Sequence, residues 1–253
     1  MRQVVFVAGA LQPAVDELRD VLGLDICFRD PGVAEFGLEN ALLPVNGNFL
    51  EVVSPTKEGT TAGRYLERRG GAGGYMLLFQ CDDAAAVRER LLAKGLRAVW
   101  CHDEPDCVAT HYHPQDLPGA IVSIDSMSHA GDWHKELADW KWAGPAWRQH
   151  VATERVQALA AVEIRAEDPG ALGARWSDVF ERPLGRSANG APAIAFDNIT
   201  VRFVEAQDES CHGITGVDIL PQDRNAILAA AEARGLRTGD NQMRLAGVTV
   251  TLI

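Results

Sequence analysis

The chain has 253 residues, a formal net charge of -11 at pH 7 and a pI of about 5.1, so it is long enough for one large domain or two small ones. The negative charge argues against nucleic acid and anionic membranes as partners, because their phosphate surfaces repel an acidic protein. No apolar run approaches the length of a membrane span, and the first residues lack the apolar core of a secretory signal.

Five cysteines stand at positions 27, 81, 101, 107 and 211, an odd number with no C-x-x-C spacing. A disulfide framework or a cysteine-based zinc site needs regular pairs of cysteines. The pattern therefore favours free thiols that pack as small core residues. We expect a reducing compartment and a cytoplasmic location.

The first repeating unit predicts a strand, a helix and then three short strands. QVVFVAG is the opening strand, and Val15 and Leu18 recur at helical spacing before Gly23, which ends the helix. The next strands are predicted around LDICFRD, EFGLENALLPV and NFLEVVSP, where Gly, Pro and Asn supply the turns.

The same order of elements returns twice more, and a fourth, shorter copy follows. The second copy begins at YMLLFQC, after the Gly-rich segment RRGGAGG, the third begins near Val156, and the fourth begins at ITGVDILP. Asp82 or Asp83 is placed to cap the second helix, and Pro169 follows Asp168 in the first turn of the third. A repeat of this size cannot bury its apolar face alone, so the copies should pack in pairs.

The repeats divide the chain into three parts, with 1–126 as the first paired half, 127–155 as a connector and 156–253 as a second, more degenerate half. The connector holds four of the six tryptophans, a composition unlike that of a disordered linker. We expect it to wrap over the two halves and to anchor through its indoles. An aromatic surface for a partner is the alternative.

The four βαβββ copies, with ENALLPVNGNFLEVVSP in the first and HPQDLPGAIVSID in the second, resemble the vicinal oxygen chelate superfamily and its glyoxalase-like branch. The resemblance covers nearly the whole chain outside the connector. It implies an α+β fold in which four modules pair into two curved-sheet halves, each around a cleft. Members include glyoxalases, epimerases, dioxygenases, thiol transferases and drug-sequestering proteins, so the fold alone does not select a reaction.

The resemblance also implies a metal site, with a histidine at the start of a module's first strand and a glutamate on its last strand. Glu51 matches the glutamate of the first module, whereas Ser123, Arg202 and Thr251 stand at this position in the others. The four histidine positions hold Gln3, Met76, Ala161 and Gly216. A transition metal needs about three converging N, O or S ligands. We predict no metal site and no firmly implied cofactor; a divalent metal would have to bind without the usual histidines.

Glu51 stands in an otherwise apolar strand, on the same face as Phe49 and Val53. If that face lines a cleft, burial should raise the pKa of the carboxyl group enough for general-base catalysis. The alternative is a solvated residue on the outer face, or an ion-pair partner of Arg2 or Arg64.

The segment THYHPQDLPGAIVSID places His111 and His113 on one face of a strand. Imidazoles titrate near neutrality, so the pair can act as acid and base or donate hydrogen bonds to a substrate. The alternative is that both rings pack before the turn or pair with Asp116. The predicted substrate contacts are His111, His113, Ser123, Gln3, Met76 and Arg202.

Three functions remain open. The first is a glyoxalase-like protein that binds a small oxygenated metabolite and transfers a proton in a lyase or isomerase reaction, with Glu51 as base. The second is a non-catalytic protein that sequesters a small molecule, and the third is an extradiol-type dioxygenase. In each case the expected partner is a small-molecule ligand, and the sequence is also compatible with a homodimer.

Overall fold

The computed structural model describes residues 1–128, 133–207 and 212–253. These residues form two sheets of seven strands each, with helices packed against them. The predicted α+β class, with four βαβββ modules paired into two halves, is confirmed. Cys211 and part of the connector, residues 129–132, lie outside the described residues.

The first sheet is built from the first two modules. Its elements in chain order are β1 (Gln3–Val7), α1 (Leu11–Leu22), β2 (Leu38–Val45), β3 (Asn48–Pro55), α2 (Thr61–Arg69), β4 (Gly73–Gln80), α3 (Ala84–Ala93), β5 (Ala98–Glu104), β6 (Cys107–Tyr112) and β7 (Ile121–Met127). The strand order is β2-β3-β1-β4-β7-β6-β5. The antiparallel pair β1 and β4 joins the modules, and each of these strands also pairs in parallel with the last strand of its own module.

The second sheet repeats this plan with the last two modules. Its elements are β8 (Val156–Ala166), α4 (Pro169–Phe180), β9 (Gly185–Arg186), β10 (Pro192–Ala195), β11 (Thr200–Glu205), β12 (Gly213–Pro221), α5 (Arg224–Ala233), β13 (Gln242–Leu245) and β14 (Val248–Leu252). The order is β13-β14-β12-β8-β11-β10-β9, with β8 and β12 as the antiparallel centre.

The helices begin and end where the sequence places their signals. The carboxylate of Asp83 accepts a hydrogen bond from the backbone N–H of Ala86, and Asp168 caps α4 in the same way, with Pro169 at the first position. The longest helices have 12 residues, and none in the described ranges has the length and apolar character needed to cross a membrane.

Two elements differ from the sequence prediction. LDICFRD is not a full strand, because only Phe28 forms a bridge, to Leu42, before a 3-10 helix at Pro31–Phe36. Helix α2 was not predicted, since Ala62 is its one buried residue and its apolar pattern is weak. The first module therefore contributes three strands to its sheet instead of four.

A shared core joins the two halves. On one side of the sheets, apolar residues of both halves form a single buried cluster, and α1 packs against α5. The indole of Trp176 donates to the carbonyl oxygen of Pro118 at 2.9 Å. At Gly74 there is no room for a side chain, because Ile214 lies against the backbone. These contacts leave the opposite face of each sheet free for a cleft.

The connector covers part of the first sheet's cleft face. Trp140 and Trp147 are fully buried there, within a second apolar cluster. The guanidinium group of Arg2 donates to the carbonyl oxygen of Ala138 at 3.0 Å, and it lies 5.5 Å from the ring of Trp140. Burial of these two indoles therefore anchors this segment to the first half.

Candidate functional site

Glu51 lies on the cleft face of the first sheet. Alternation along β3 sends Leu50 and Val52 into the core shared by the two halves and directs Glu51 to the other side, where it is only 6% exposed. Val5 of β1 and Leu42 of β2 are its neighbours across the sheet. The carboxyl group therefore stands on a strand that is paired on both sides, and it is almost removed from bulk water.

Two amide side chains hold the carboxyl group. Gln3 Nε2 donates to Glu51 Oε2 at 2.6 Å, and Asn40 Nδ2 donates to Oε1 at 2.6 Å. The partners are therefore neither Arg2 nor Arg64. Asn40 is a contact that the sequence analysis missed, although its place in the neighbouring apolar strand β2 was a usable signal.

Each amide is itself oriented by a second donor. Trp140 Nε1 donates to Gln3 Oε1 at 2.8 Å, and the backbone N–H of Asp30 donates to Asn40 Oδ1 at 2.8 Å. An indole N–H and a backbone N–H can only donate, so both amides turn their carbonyl oxygens away from Glu51 and their NH₂ groups toward it. Both oxygens of the carboxyl group therefore accept hydrogen bonds.

Burial and hydrogen bonding act on the pKa of Glu51 in opposite directions. Burial raises this pKa to about 7, while the amides of Asn40 and Gln3 lower it and the nearby charge of Asp30 raises it further. The group is therefore poised between its acid and base forms near neutral pH.

A cavity of about 760 Å³ opens onto this carboxyl group. Most of its wall is apolar or aromatic: Val33, Phe36, Leu38, Leu42, Val53, Tyr75, Met76, Leu78, Val99, Trp100, Ile121 and Trp142. Asp30, Glu35 and Arg64 also line it. The volume and the mixture of apolar walls with a few polar groups are typical of a small-molecule site.

His111 forms part of the aromatic wall. Its ring centroid lies 4.5 Å from that of Trp100 and 6.4 Å from that of Phe36. Burial lowers the pKa of His111 to about 4, so its imidazole is neutral at physiological pH. A neutral imidazole carries one N–H donor and one acceptor nitrogen, and either can contact a ligand.

Four of the six predicted substrate contacts line this cavity together with Glu51. Gln3, Met76, His111 and His113 all line it. At His113, Nδ1 accepts a hydrogen bond from the backbone N–H of Gln115 at 3.1 Å. His102, from the neighbouring strand β5, lines the same cavity.

Ser123 and Arg202 lie elsewhere. Ser123 is fully buried beside the cavity and donates to Asp125 Oδ1 at 2.5 Å, while Trp142 Nε1 donates to Asp125 Oδ2 at 2.8 Å. Burial raises the pKa of Asp125 to about 7, against the hydrogen bonds from Ser123 and Trp142. The sequence analysis did not identify Asp125, because it is an ordinary strand-end residue until the connector covers it.

Arg202 belongs to the second sheet. Its Nε lies 3.1 Å from Glu163 Oε2, and its terminal nitrogens contact both carboxylate oxygens of Asp218. The guanidinium group is therefore engaged by two carboxylates and is not part of the first-sheet cavity.

The strand registers identify equivalent positions in the four modules. Glu51 lies opposite Val5, and Ser123 lies opposite Leu78 in the same parallel arrangement. In the second sheet the corresponding pairs are Arg202 with Glu163 and Thr251 with Asp218. Gln3 and Met76 then occupy matching places two residues before Val5 and Leu78.

The residues at these places do not fit a divalent cation. Gln3 presents an NH₂ group toward Glu51 and engages its carbonyl oxygen with Trp140, while Ser123 donates to Asp125. Met76 offers a thioether, a ligand suited to soft metals. Within residues 1–128, 133–207 and 212–253, no group of three or more His, Cys, Asp and Glu side chains is arranged to hold a metal ion.

Comparison with solved structures supports the fold. A hypothetical protein from Staphylococcus aureus has a TM-score of 0.66 and 11% identity, and the match covers 100% of this chain and 97% of that one. A mutant of 4-hydroxymandelate synthase from Streptomyces coelicolor has a TM-score of 0.67 and 17% identity, with 94% of this chain and 76% of that chain covered.

Sequence comparison gives the family. Residues 4–180 match the glyoxalase-like domain, and the chain belongs to this family. An ethylmalonyl-CoA/methylmalonyl-CoA epimerase from Cereibacter sphaeroides is 21% identical over 134 residues, which are 50% of this chain and 97% of that protein. The predicted resemblance to glyoxalase-like proteins is confirmed.

Proposed function

We propose that the protein is a proton-transfer enzyme of the isomerase or lyase type, with Glu51 as its general base and a small oxygenated metabolite as its substrate. The observation that carries this proposal is the placement of Glu51 on the cavity wall, buried and held by two amides, with a pKa near 7. A base whose pKa lies near the working pH combines a useful ionised fraction with high proton affinity.

The cavity wall supports a largely apolar substrate that carries no strong negative charge. Apolar and aromatic side chains dominate, and the carboxyl groups of Asp30, Glu35 and Glu51 repel anions. Arg64 is the basic residue of this wall, and its guanidinium group donates to the carbonyl oxygen of Gly59 at 2.6 Å. We therefore expect an uncharged molecule with an aromatic or conjugated body and at least one carbonyl group.

The proposed step uses residues of the cavity alone. The Glu51 carboxylate takes a proton from a carbon next to the substrate carbonyl; the C–H bond breaks, and its electron pair moves toward the carbonyl oxygen to give an enolate. The protonated carboxyl group of Glu51 exchanges its proton with solvent and returns a proton to that carbon or to a neighbouring atom, so no oxidant or reductant is consumed. Neutral His111 supplies an N–H donor for the developing oxyanion.

The epimerase similarity supports the class of reaction, because an epimerase also removes and returns a proton. It does not extend to the substrate that the epimerase is named for. A CoA group carries several negative charges, and the acidic side chains of this cavity disfavour it.

A non-catalytic binding protein is the second candidate. The apolar wall and the replacement of the histidine positions by Gln3 and Met76 favour it, because a sequestering protein needs neither a metal nor a base. An extradiol-type dioxygenase is the weakest candidate. It requires two histidines and a glutamate around one iron ion, whereas the donor groups beside Glu51 are amide N–H groups.

Deuterium wash-in tests the proposal without knowledge of the exact substrate. A panel of uncharged aromatic ketones and hydroxy ketones is incubated with the protein in D₂O, and incorporation next to the carbonyl is followed by NMR. Glu51→Gln should slow incorporation by at least about 100-fold, the usual contribution of a general base. Glu39→Gln, an exposed residue of β2, is the matched control and should leave the rate unchanged.

Three outcomes are informative. Protein-dependent wash-in that is lost only in Glu51→Gln supports the enzyme. Tight binding of panel compounds without wash-in overturns the enzyme and supports the binding protein. Wash-in that persists in Glu51→Gln removes Glu51 from the role of base.

A further inference from the structure

We infer that Trp140 of the connector is a positioning residue for Glu51, acting through the side-chain amide of Gln3. This inference rests on the proposed function and extends the site to a segment outside the four modules. It is carried by the hydrogen-bond chain from Trp140 Nε1 to Gln3 Oε1 at 2.8 Å, and from Gln3 Nε2 to Glu51 Oε2 at 2.6 Å.

A carboxamide can turn either way, because its oxygen and nitrogen ends are nearly the same size. An indole N–H can only donate, so Trp140 selects the orientation in which the Gln3 oxygen faces the connector. The NH₂ group must then face Glu51. These two bonds are the side-chain hydrogen bonds of Gln3 within the described ranges. The ionised form of Glu51 favours the same orientation of the amide, and Trp140 also maintains it when Glu51 is protonated.

The connector is held rigidly enough for this task. Trp140 is 2% exposed, and Arg2 donates to the carbonyl oxygen of Ala138, two residues before it. Arg2 directly precedes Gln3, the first residue of β1. The start of this strand therefore binds the connector backbone through Arg2 and the indole of Trp140 through Gln3. The backbone N–H of Asp30 orients the Asn40 amide in the same way, but Asp30 belongs to the same module as Glu51.

Loss of the indole N–H should change the environment of Glu51 in a definite direction. Without it, the Gln3 amide is free to turn its carbonyl oxygen toward Glu51, which replaces a donor by an acceptor. An acceptor favours the protonated carboxyl group, so the pKa of Glu51 should rise. Other titratable or charged groups on the same cavity are Asp30, Glu35, Arg64, Tyr75, His102, His111 and His113.

The experiment is a ¹³C NMR titration of the Glu51 carboxyl carbon in the ligand-free full chain, assigned by comparison with Glu51→Gln. Trp140→Phe keeps a buried aromatic ring and removes the donor; we expect the Glu51 pKa to rise by at least about one unit. Trp147→Phe is the matched control. Trp147 is equally buried in the same connector, and its ring centroid lies 5.0 Å from that of Phe49. Its indole N–H has no acceptor within the described ranges. Trp147→Phe should therefore leave the pKa of Glu51 unchanged.

A double-mutant cycle separates the relay from a general packing effect. Gln3→Met should raise the Glu51 pKa by itself, and adding Trp140→Phe to it should give no further shift, because the amide that transmits the effect is gone. An unchanged pKa in Trp140→Phe, an equal rise in Trp147→Phe, or additive shifts in the cycle would each overturn the inference.

A second measurement covers the case in which Trp140→Phe does not fold. In the unmodified chain the Trp140 indole ¹H–¹⁵N signal should shift with the titration of Glu51, and this shift should vanish in Glu51→Gln. A signal that does not follow Glu51 overturns the relay. None of these readouts needs a substrate, so a confirmed relay without deuterium wash-in would overturn the proposed function alone.

Discussion

Glu163 and Arg202 lie opposite each other on β8 and β11, and Glu163 Oε2 lies 3.1 Å from Arg202 Nε. The same two positions in the first sheet hold Val5 and Glu51. In the second sheet the guanidinium group is thus neutralised by carboxylates. At the equivalent positions of the first sheet, Val5 is apolar and the carboxyl group of Glu51 faces a cavity. The two halves share one architecture but have different chemistry at equivalent points.

The ion-pair network of the second sheet should contribute to stability and not to ligand binding. Arg202→Met removes the cation that Glu163 and Asp218 share and leaves Glu163 with the more exposed Arg165 as its ion-pair partner. We expect the free energy of unfolding to fall by about 2 kcal/mol, since these groups are mostly but not fully buried. Urea unfolding measures the change. Arg165→Met, which affects only the more exposed partner of Glu163, should cost much less.

Arg202→Met should bind a ligand of the first-sheet cavity with the same affinity as the unmodified chain. A loss of affinity comparable to that of a cavity variant would show that Arg202 acts at the binding site after all.

Glu51 should make the protein less stable as the pH rises from about 5 to 7. The pKa of Glu51 is about 7 in the folded chain, whereas the ordinary value for a glutamate is 4.5. Between these two pH values the folded state therefore binds more protons than the unfolded state. Stability then falls with increasing pH, by up to about 3 kcal/mol for one such group. Asp125, whose pKa is also about 7, acts in the same direction.

Urea unfolding at pH 5 and pH 7.5 tests this linkage. Glu51→Gln and Asp125→Asn should each raise the unfolding free energy at pH 7.5 relative to that at pH 5, compared with the unmodified chain. His111 and the N-terminal amine, whose pKa values burial lowers, contribute the opposite pH dependence in every variant. A difference that stays the same in Glu51→Gln would mean that its carboxyl group titrates normally.

The rate of deuterium wash-in should increase with pH through a single ionisation near 7. The base form of Glu51 is the active one, and His111 stays neutral well below this range because its pKa is about 4. The measurement is kcat/KM from pH 5 to 9, which reports groups of the free enzyme. A flat profile over this range would conflict with Glu51 as the base.

Trp100 should determine much of the affinity for uncharged aromatic ligands. Its indole contacts Phe36, His111 and Trp142 on the cavity wall and donates to Glu35 Oε1 at 2.9 Å. Trp100→Ala should weaken binding of 2-naphthol by about tenfold, the effect of about 1.4 kcal/mol. Isothermal titration calorimetry measures this, with Leu92→Ala on the exposed face of α3 as the control.

The charge of the ligand provides a second comparison in the same assay. 2-Naphthoate has the same ring system with a carboxylate, and the acidic cavity should bind it more weakly than 2-naphthol. Equal or tighter binding of the anion would contradict the proposed substrate class.

The sequence predicts the repeated modules well, because most of their helices carry local start or stop signals. Asp168 with Pro169 is an example in which both signals are local. The prediction of a strand at LDICFRD is wrong for the opposite reason. Only Phe28 of this segment pairs with another strand, because pairing across a sheet depends on residues far away in the chain. Helix α2 escapes detection because it buries a single side chain.

At the site, the sequence identifies Glu51 but not the residues that hold it. Its strand position and face follow from alternation, whereas Asn40 approaches through the β2–β3 pairing and Trp140 from a segment 137 residues beyond Gln3. No periodicity encodes such long-range hydrogen bonds. The tryptophan-rich composition of the connector indicates that it packs, without showing which polar group its indoles reach.

The most direct test of this account is the pKa of Glu51 itself, measured by ¹³C NMR titration of its carboxyl carbon in the ligand-free protein. The structure leads us to expect a value near 7, and a further change when an uncharged aromatic ligand fills the cavity. A value near 4.5 that no cavity ligand alters would contradict the central claim that Glu51 is a buried base in a binding site.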